Sequence, residues 1–290
     1  MQVSDRVAAV VVEHGGGPEL YRCLESLSAE GIAEVAVVDN SEHSRLEPLE
    51  LGGLGAAFVV RPGKNLGYGS GANRGIAASS SELVLVSNPD IEVHPGAVDA
   101  LVAALDGKQV AGIAGPLILN PDGTRYPSAR RFPSLVDAAG HGLLGLVAPG
   151  NRFTRRYRMD ELSSMAGDVE TADVDWVSGS FFLARRSVLD ELGGFDESYF
   201  MYAEDVDLCW RARRRGYEVM YVPRAVVTHV QGASTSRRPY RMLVEHHRSL
   251  LRFYARSSRS WELVLLPVVA AGVVVRLALA ALKLAFGRRG

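Results

Sequence analysis

The chain has 290 residues, of which 47% are hydrophobic and 22% are charged. That balance supports a packed core rather than a disordered chain, and the length is about the upper size of a single-domain α/β enzyme. The formal net charge of −1 provides no overall attraction to a polyanion, so we expect no nucleic-acid partner.

Short apolar runs alternate with helical patterns over the first hundred residues. The runs predict four strands, at Val7–Val12, Val35–Val38, Ala57–Val60 and Leu83–Val86. The helical patterns lie at Pro18–Ala29, Tyr68–Ala78 and Gly96–Leu105. This alternation predicts a parallel sheet with helices on both faces, in which ligands bind at the carboxyl ends of the strands. Three polar clusters fall at such ends: Glu13-His14, Asp39-Asn40 and Asn88-Pro89-Asp90.

The second half of the chain is less regular. Residues 125–172 are irregular and basic, and we expect a mobile loop with one short helix there. The segment Val174–Leu183 predicts a strand pair or a broken strand. Further strands are predicted at Ile113–Leu119 and Glu218–Val222, and helices at Ala184–Leu192, Glu204–Arg215 and Pro239–Tyr254.

An apolar tail ends the sequence. Leu263–Val275 is an unbroken apolar run that is followed by Arg276, and it is shorter than the roughly 20 residues that a membrane span needs. We therefore expect a helix that lies in or dips into the membrane surface, in preference to a helix packed on the protein or a full span. The N-terminus lacks the features of a signal peptide, and the two cysteines fit a reducing cytoplasm.

Carboxylates after two predicted strands suit nucleotide and metal binding. Asp90 in Asn88-Pro89-Asp90 could hold Mg²⁺ or Mn²⁺, because such ions take oxygen ligands and share them with substrate phosphates. Asp39 could accept a hydrogen bond from a nucleotide base or ribose. Taken alone, each carboxylate fits an ordinary turn better than a ligand site.

Acids at a predicted helix start, and one histidine, complete the set of candidates. Glu204, Asp205 and Asp207 begin a helix after an aromatic-rich loop, where a carboxylate is suited to deprotonate an acceptor hydroxyl. The alternative is that these acids only complement the helix dipole. His229 is either a buried core group or a contact to metal or phosphate.

A glycine-rich segment partly matches a dinucleotide fingerprint. The residues from Gly67 to Ala72 fit G-x-G-x-x-A, but they follow the third predicted strand instead of the first. We interpret these glycines as a close-approach loop and helix start near the phosphates or sugar of a nucleotide.

Placed in order, these segments resemble a family 2 glycosyltransferase with the GT-A fold. The resemblance runs from about Val7 to about Ser236. The segments that carry it are Val10-Val11-Val12, Val37-Val38-Asp39-Asn40, Asn65-Leu66-Gly67-Tyr68-Gly69, Asn73-Arg74-Gly75, Asn88-Pro89-Asp90, Trp176-Val177-Ser178-Gly179, Gly193-Gly194-Phe195-Asp196-Glu197, Phe200, the run from Glu204 to Arg211, and His229. Members often carry Asn-Tyr-Asn or Thr-Tyr-Asn after the first strand, where this chain has Glu13-His14-Gly15.

The resemblance implies a role for each candidate residue. Asp205, with Glu204 beside it, would be the general base, and Asp90 with His229 would hold the divalent metal. The nucleotide-sugar donor would be bound by Asp39, Asn65, Gly67, Asn73, Asn88 and Asp90. Trp176 and Gly179 would border the acceptor. Family members of this kind invert the anomeric centre in a single displacement.

Within the family, the chain resembles bacterial rhamnosyltransferases that act on polyprenyl-linked acceptors during cell-wall biogenesis. This resemblance implies dTDP-rhamnose as donor, a lipid-linked or other cell-envelope glycan as acceptor, and a peripheral or tail-anchored position on the inner face of the cytoplasmic membrane. The alternatives are galactofuranose or N-acetylglucosamine from a UDP donor, or a non-transferase nucleotide-binding α/β protein. We expect a GT-A domain over residues 1–236, with a nucleotide-sugar half (1–120) and an acceptor half (121–236), followed by a membrane-associating helical tail (237–290).

Overall fold

The computed structural model describes residues 3–15, 17–32, 34–43, 46, 56–132, 159, 171–230 and 239–287. The strands in these ranges are β1 (Val7–Glu13), β2 (Glu34–Asp39), β3 (Ala56–Val60), β4 (Leu83–Ser87), β5 (Ile91–Val93), β6 (Ala111–Leu119), β7 (Arg125–Tyr126), β8 (Ala129–Arg130), β9 (Ala172–Val174), β10 (Trp176–Val177), β11 (Phe181–Arg185) and β12 (Glu218–His229). The helices are α1 (Pro18–Ala29), α2 (Tyr68–Ala78), α3 (Ala97–Asp106), α4 (Arg186–Leu192), α5 (Glu204–Arg214), α6 (Pro239–Ser257) and α7 (Leu266–Gly287).

One ten-stranded sheet organises the fold, in the order β3-β2-β1-β4-β11-β6-β12-β5, with β7 beside β6 and β9 beside β12. The strands β3, β2, β1 and β4 are parallel, β11 runs antiparallel to β4 and β6, and β12 is again parallel to β6. The central strands are buried on both faces, which explains their continuous apolar runs. The predicted α/β class with a mainly parallel sheet is confirmed.

Helices cover both faces of this sheet, and two core clusters lie beneath them. One cluster joins α1 and α3 to the sheet, and the other joins α2, α4 and α5 to it. On α1, Leu20, Leu24 and Leu27 are fully buried, as their helical spacing predicts. The helix Pro18–Ala29 has its predicted bounds, and so does Tyr68–Ala78.

Two sequence predictions for the second half need correction, and a third becomes more precise. The strand predicted to end at Val222 continues to His229, because β12 passes Pro223 through a shift in register between Val222 and Val226. The segment Val174–Leu183, predicted as a strand pair or a broken strand, contains the end of β9, all of β10 and the start of β11. Irregular structure was expected from residue 125, but β7 and β8 occupy the first part of that range. Residues 133–158 and 160–170 lie outside the described part of the chain, as does most of the predicted loop.

The C-terminal helices form a connected pair. α6 contacts α5 and the loop before it, and α7 contacts α6. The Tyr254 hydroxyl donates to the carbonyl of Glu262 at 2.7 Å and closes the connection between the two helices. α7 continues past Arg276, where the predicted apolar run ends, without a break in the helix. Within the described residues, the window Glu262–Leu279 is long and apolar enough to cross a membrane, with a mean hydropathy of 2.2.

Candidate active site

The polar ends of the parallel strands meet at one edge of the sheet. β1 ends at Glu13, β2 at Asp39, β4 at Ser87 and β12 at His229. β11 begins at this edge because it runs antiparallel to β4, with Phe181 opposite Ser87. The candidate residues therefore gather where a strand-end ligand site is expected.

Asp90 and His229 lie side by side in this edge. The short strand β5 pairs antiparallel with β12 and places His229 opposite Ile91, one residue from Asp90. His229 Nε2 is 3.1 Å from Asp90 Oδ1 and 3.3 Å from Asn88 Nδ2. The backbone N–H of Val230 donates to the carbonyl of Asp90 at 2.9 Å and fixes the turn. The predicted proximity of Asn88, Asp90 and His229 is thus observed.

These side chains fit a metal ion that takes further ligands from a substrate. Asp90 Oδ1 is buried with His229 Nε2 3.1 Å away, so a carboxylate oxygen and an imidazole nitrogen lie side by side as potential ligands. Among the described residues, no group of three or more His, Cys, Asp or Glu side chains could hold a metal ion alone. Two protein ligands suit Mg²⁺ or Mn²⁺ because these ions commonly share diphosphate oxygens and water.

Asp39 offers a second free carboxylate oxygen. Its Oδ1 accepts the N–H of Ser41 at 3.2 Å, while its Oδ2 is buried without a partner. A buried carboxylate oxygen without a donor is costly, so a ligand N–H or O–H at this position would offset that cost. The geometry supports the prediction that Asp39 contacts a base or ribose.

The side chains of Asn65 and Asn73 already bond to the protein. Asn65 Oδ1 accepts the N–H of Gly67 at 3.0 Å and lies 3.3 Å from Asn40 Nδ2. Asn73 exchanges hydrogen bonds with the backbone of Phe195 at 2.9 Å in both directions. Both asparagines hold loops in place, and their direct contact with donor stays a prediction.

Gly67 and the glycines that follow it lie very close to other parts of the protein. Gly67 has φ +87°, and a Cβ there would lie 2.1 Å from the carbonyl oxygen of Phe200. Tyr68 N–H donates to that same carbonyl at 3.0 Å. A Cβ at Gly75 would meet Val10 on the sheet at 2.3 Å. These glycines let α2 pack tightly, which accounts for the fingerprint-like spacing without a dinucleotide.

The pair Glu204 and Asp205 begins α5, directly after a loop with unusual backbone angles. Tyr202 and Ala203 have φ of 68° and 62°, in the left-handed region that costs a non-glycine residue about 1–3 kcal/mol. Asp205 accepts two backbone hydrogen bonds at 2.8 Å, from Gly179 to Oδ2 and from Val206 to Oδ1. Asp205 is therefore held in one orientation at the site edge.

Electrostatics separates the roles of the two acids. Burial, followed by the charge of Asp205, raises the pKa of Glu204 to about 8, and its Oε2 has no partner. Burial also raises the pKa of Asp205, but the backbone N–H groups of Gly179 and Val206 stabilise its anion and oppose that shift. Because these two hydrogen bonds stabilise the carboxylate form of Asp205, Asp205 is the better candidate to accept a proton from a substrate.

Tyr68 connects the acid pair to the rest of the site. Its hydroxyl donates to the carbonyl of Gly179 at 2.6 Å. Burial, and after it the charges of Glu204, Asp205 and Asp90, raise the pKa of Tyr68. Asp90, Glu204 and Asp205 are therefore all close enough to Tyr68 to influence its ionisation. Nothing in the local sequence singled out Tyr68, because its partner is 111 residues away.

Gly179 contacts Asp205 directly, and Trp176 precedes it on β10. A Cβ at Gly179 would lie 2.8 Å from Asp205 Cβ, so glycine is required for this contact. Trp176 is buried, its indole N–H donates to the carbonyl of Arg131 at 3.0 Å, and Arg130 lies over its ring at 5.0 Å. The charge of Arg130 lowers the pKa of Asp205 and opposes the effect of burial. Contact with an acceptor by Trp176 or Gly179 stays a prediction.

A family model described as glycosyltransferase like family 2 matches residues 5–248. The chain is a family 2 glycosyltransferase. The N-acetylglucosaminyl-diphospho-decaprenol L-rhamnosyltransferase of Mycobacterium tuberculosis is 38% identical to this glycosyltransferase over 272 residues, which are 89% of this chain and 87% of that protein. The rhamnosyltransferase WbbL of Escherichia coli K12 is 27% identical over 226 residues, covering 75% of this chain and 80% of WbbL.

Solved structures show that this glycosyltransferase has the GT-A fold. GalNAc-T7 with UDP, GalNAc and Mn²⁺ superposes with a TM-score of 0.56 at 17% identity, over 79% of this chain and 43% of that one. S. aureus TarS 1–349 gives a TM-score of 0.54 at 14% identity, over 93% of this chain and 71% of TarS. At these identities the likeness concerns the fold alone. Family 2 glycosyltransferases generally use a nucleotide-sugar donor and a divalent metal.

Proposed function

We propose that this enzyme transfers rhamnose from dTDP-rhamnose to a hydroxyl of a polyprenyl-linked glycan acceptor. The observation that carries the proposal is the 38% identity, over 87% of its length, to a protein named as an N-acetylglucosaminyl-diphospho-decaprenol L-rhamnosyltransferase. The unpartnered Oδ2 of Asp39 and the neighbouring Asp90 and His229 support it, because a nucleoside diphosphate offers a base, a ribose and metal-binding phosphates to this edge.

The residues suggest an inverting displacement. Asp205 takes the proton from the acceptor hydroxyl as that oxygen bonds to the anomeric carbon, while the bond from this carbon to the diphosphate oxygen breaks. The nucleoside diphosphate leaves from the opposite face, so the configuration inverts. Asp90 and His229 would hold a divalent cation, which would neutralise charge on the leaving diphosphate. The two hydrogen bonds to Asp205 position it before the acceptor arrives.

A panel of donors tests the proposed sugar. Purified full-length enzyme is incubated with Mg²⁺ or Mn²⁺, a prenyl-diphospho-N-acetylglucosamine acceptor, and dTDP-rhamnose, UDP-galactofuranose, UDP-N-acetylglucosamine or a GDP-sugar. We expect transfer from dTDP-rhamnose with a kcat/KM well above that of the other donors. Faster transfer from a UDP-sugar would contradict the rhamnose assignment and leave the glycosyltransferase assignment in place.

We further propose that α7 attaches the enzyme to the cytoplasmic side of the membrane. The apolar surface here is exposed: Val264, in the 3-10 turn Glu262–Leu265 just before α7, is 77% exposed, Val268 on α7 is 69% exposed, and none of the stretch Glu262–Leu279 is buried. A 22-residue helix is about 33 Å long, close to the roughly 30 Å thickness of a bilayer core. Contiguous exposed apolar surface of this extent typically marks a membrane or protein contact.

Deleting residues 261–290 should move the enzyme from the membrane fraction to the soluble fraction. The same shift, although smaller, is expected for Val264→Asp with Val268→Asp, because a charged side chain opposes insertion of this apolar segment into the membrane. Arg224→Asp, at an exposed position on β12, is the matched control and should stay with membranes. Fractionation followed by quantitative immunoblotting measures the outcome, and unchanged membrane association of the truncated enzyme would refute the proposal.

A further inference from the structure

A cavity of about 190 Å³ lies between α6 and the loop that leads to the acid pair. We define this loop as the strap, residues 195–203. The cavity is lined by Ser198, Phe200, Glu245, Arg248, Ser249 and Arg252. Pockets for whole small molecules are typically about 300–1,000 Å³. A volume of 190 Å³ therefore suits one compact group of a larger ligand.

The charge of the lining favours an anion. Two of the lining residues, Arg248 and Arg252, carry a guanidinium group, and one, Glu245, carries a carboxylate. Arg241 lies nearby with its guanidinium 4.7 Å from the centre of the Phe200 ring, and Arg252 lies 5.7 Å from the centre of the Tyr199 ring. Aromatic rings hold guanidinium groups in place while leaving their N–H groups free to bind.

These arginines differ from the other arginine cluster in the part of the chain that the structure describes. On α5, Arg211 pairs with Asp207, Arg213 with Asp173 and Arg215 with Glu191. Across the described residues, by contrast, none of Arg241, Arg248 and Arg252 forms an ion pair. Arginine clusters with open N–H groups are characteristic of phosphate recognition.

The position of the cavity links it to the acceptor side of the reaction. The Ser249 hydroxyl donates to the carbonyl of Met201 at 2.9 Å, three residues before Glu204. The other end of α6 leads into the exposed apolar helix α7. A phosphate in the cavity would thus lie between the catalytic acids and the part of the enzyme that we propose meets the membrane.

We propose that Arg248 and Arg252 bind a phosphate of the acceptor's prenyl-diphosphate group, which rests on the proposed lipid-linked acceptor. Diphosphate geometry fits two neighbouring guanidinium groups, and charge-assisted hydrogen bonds are the strongest that such a surface can form. The cavity then selects acceptors that carry a phosphate beside the sugar, and it holds that sugar at a fixed distance from Asp205.

The test compares a charge-removing double variant with matched controls in the full-length enzyme. Arg248→Gln with Arg252→Gln should raise the KM for prenyl-diphospho-N-acetylglucosamine about 10- to 100-fold and leave the KM for donor unchanged. Transfer to a neutral alkyl N-acetylglucosaminide should be the same in wild type and double variant. Glu245→Gln removes the opposing charge and should lower the acceptor KM, whereas Arg224→Gln should change nothing. An unchanged acceptor KM in the double variant would overturn the proposal.

A binding arm keeps the test independent of the proposed reaction. Calorimetric titration with a short-chain prenyl diphosphate, in the presence of chelator, should show affinity for wild type that the double variant loses, even if no sugar is transferred. Equal binding to both would overturn the cavity assignment. If the wild type transfers no sugar, but the double variant still loses the binding of prenyl diphosphate that the wild type shows, only the proposed function would be refuted. In sedimentation with phosphatidylglycerol vesicles, the wild type and the double variant should bind equally. If the double variant lost vesicle binding but kept prenyl-diphosphate binding, these arginines would contact lipid headgroups in general instead.

Discussion

Replacing Asp205 by Asn should lower kcat by about 10²- to 10⁴-fold with dTDP-rhamnose and a lipid-linked acceptor, the range that a positioned general base contributes. The amide cannot take the proton of the acceptor hydroxyl. It also cannot accept both backbone N–H groups that hold the carboxylate, from Gly179 and Val206. Steady-state kinetics with radiolabelled or chromatographically separated product measures the loss, and circular dichroism checks that the variant is folded.

Glu204→Gln is the matched control for this prediction. Because burial and the neighbouring Asp205 raise the pKa of Glu204 to about 8, the amide mimics its neutral form, and kcat at pH 7 should fall far less than in Asp205→Asn. A raised pKa also means that Glu204 lowers the stability of the folded state as pH rises from its ordinary value towards about 8. The melting temperature of Glu204→Gln relative to wild type should therefore increase between pH 5 and pH 8. If Glu204→Gln lost more activity than Asp205→Asn, the base would be Glu204.

Replacing Asp90 by Asn should lower kcat about 10³-fold, since the stabilisation of charge on a leaving diphosphate is worth several kcal/mol. The substitution keeps the size of the side chain but removes the charge beside His229 Nε2. The Mn²⁺ concentration for half-maximal activity should also rise, and thorough chelation should abolish wild-type activity. Both are read from initial rates over a metal titration.

The controls for Asp90 use a distant acid and its neighbour. Asp190→Asn changes an exposed acid on α4, which follows the opposite end of β11, and should leave the metal titration unchanged. His229→Ala should raise the half-saturating metal concentration with a smaller fall in kcat. Full activity of Asp90→Asn, or of wild type after chelation, would show that Asp90 does not hold a metal.

Periodicity in the sequence predicted the nucleotide-binding half closely, because its elements are local. The continuous β-branched runs became the parallel strands β1, β2 and β4, and α1 and α2 have their predicted bounds. Polar residues at strand ends also placed Asp39 and Asp90 correctly at one edge. The passage of β12 through Pro223 was not predictable in the same way, because pairing with β6 on one side overrides the local preference of proline.

The sequence was less informative where function depends on distant partners. Tyr68 meets Gly179 across 111 residues, and Arg130 acts on Asp205 from a short strand that has no periodic signal. Asn65 and Asn73 were predicted as donor contacts from their order in the family pattern, and the fold adds hydrogen bonds to Gly67 and Phe195 that the sequence did not indicate. A motif records that a residue is needed at a position, and only the fold shows which atom it meets.

The attachment of α6 to the strap bears on how a soluble form of this enzyme should be made. Phe253 is buried against Phe132 and Trp210, Arg256 pairs with Asp196 and Asp207, and Ser249 ties α6 to the strap. A gene shortened at the predicted domain boundary, residue 236, would therefore encode a protein without the brace behind its left-handed Tyr202-Ala203 turn. Ending the gene at about residue 260 removes the apolar helix and keeps that brace, which makes it the better design for expression and crystallisation.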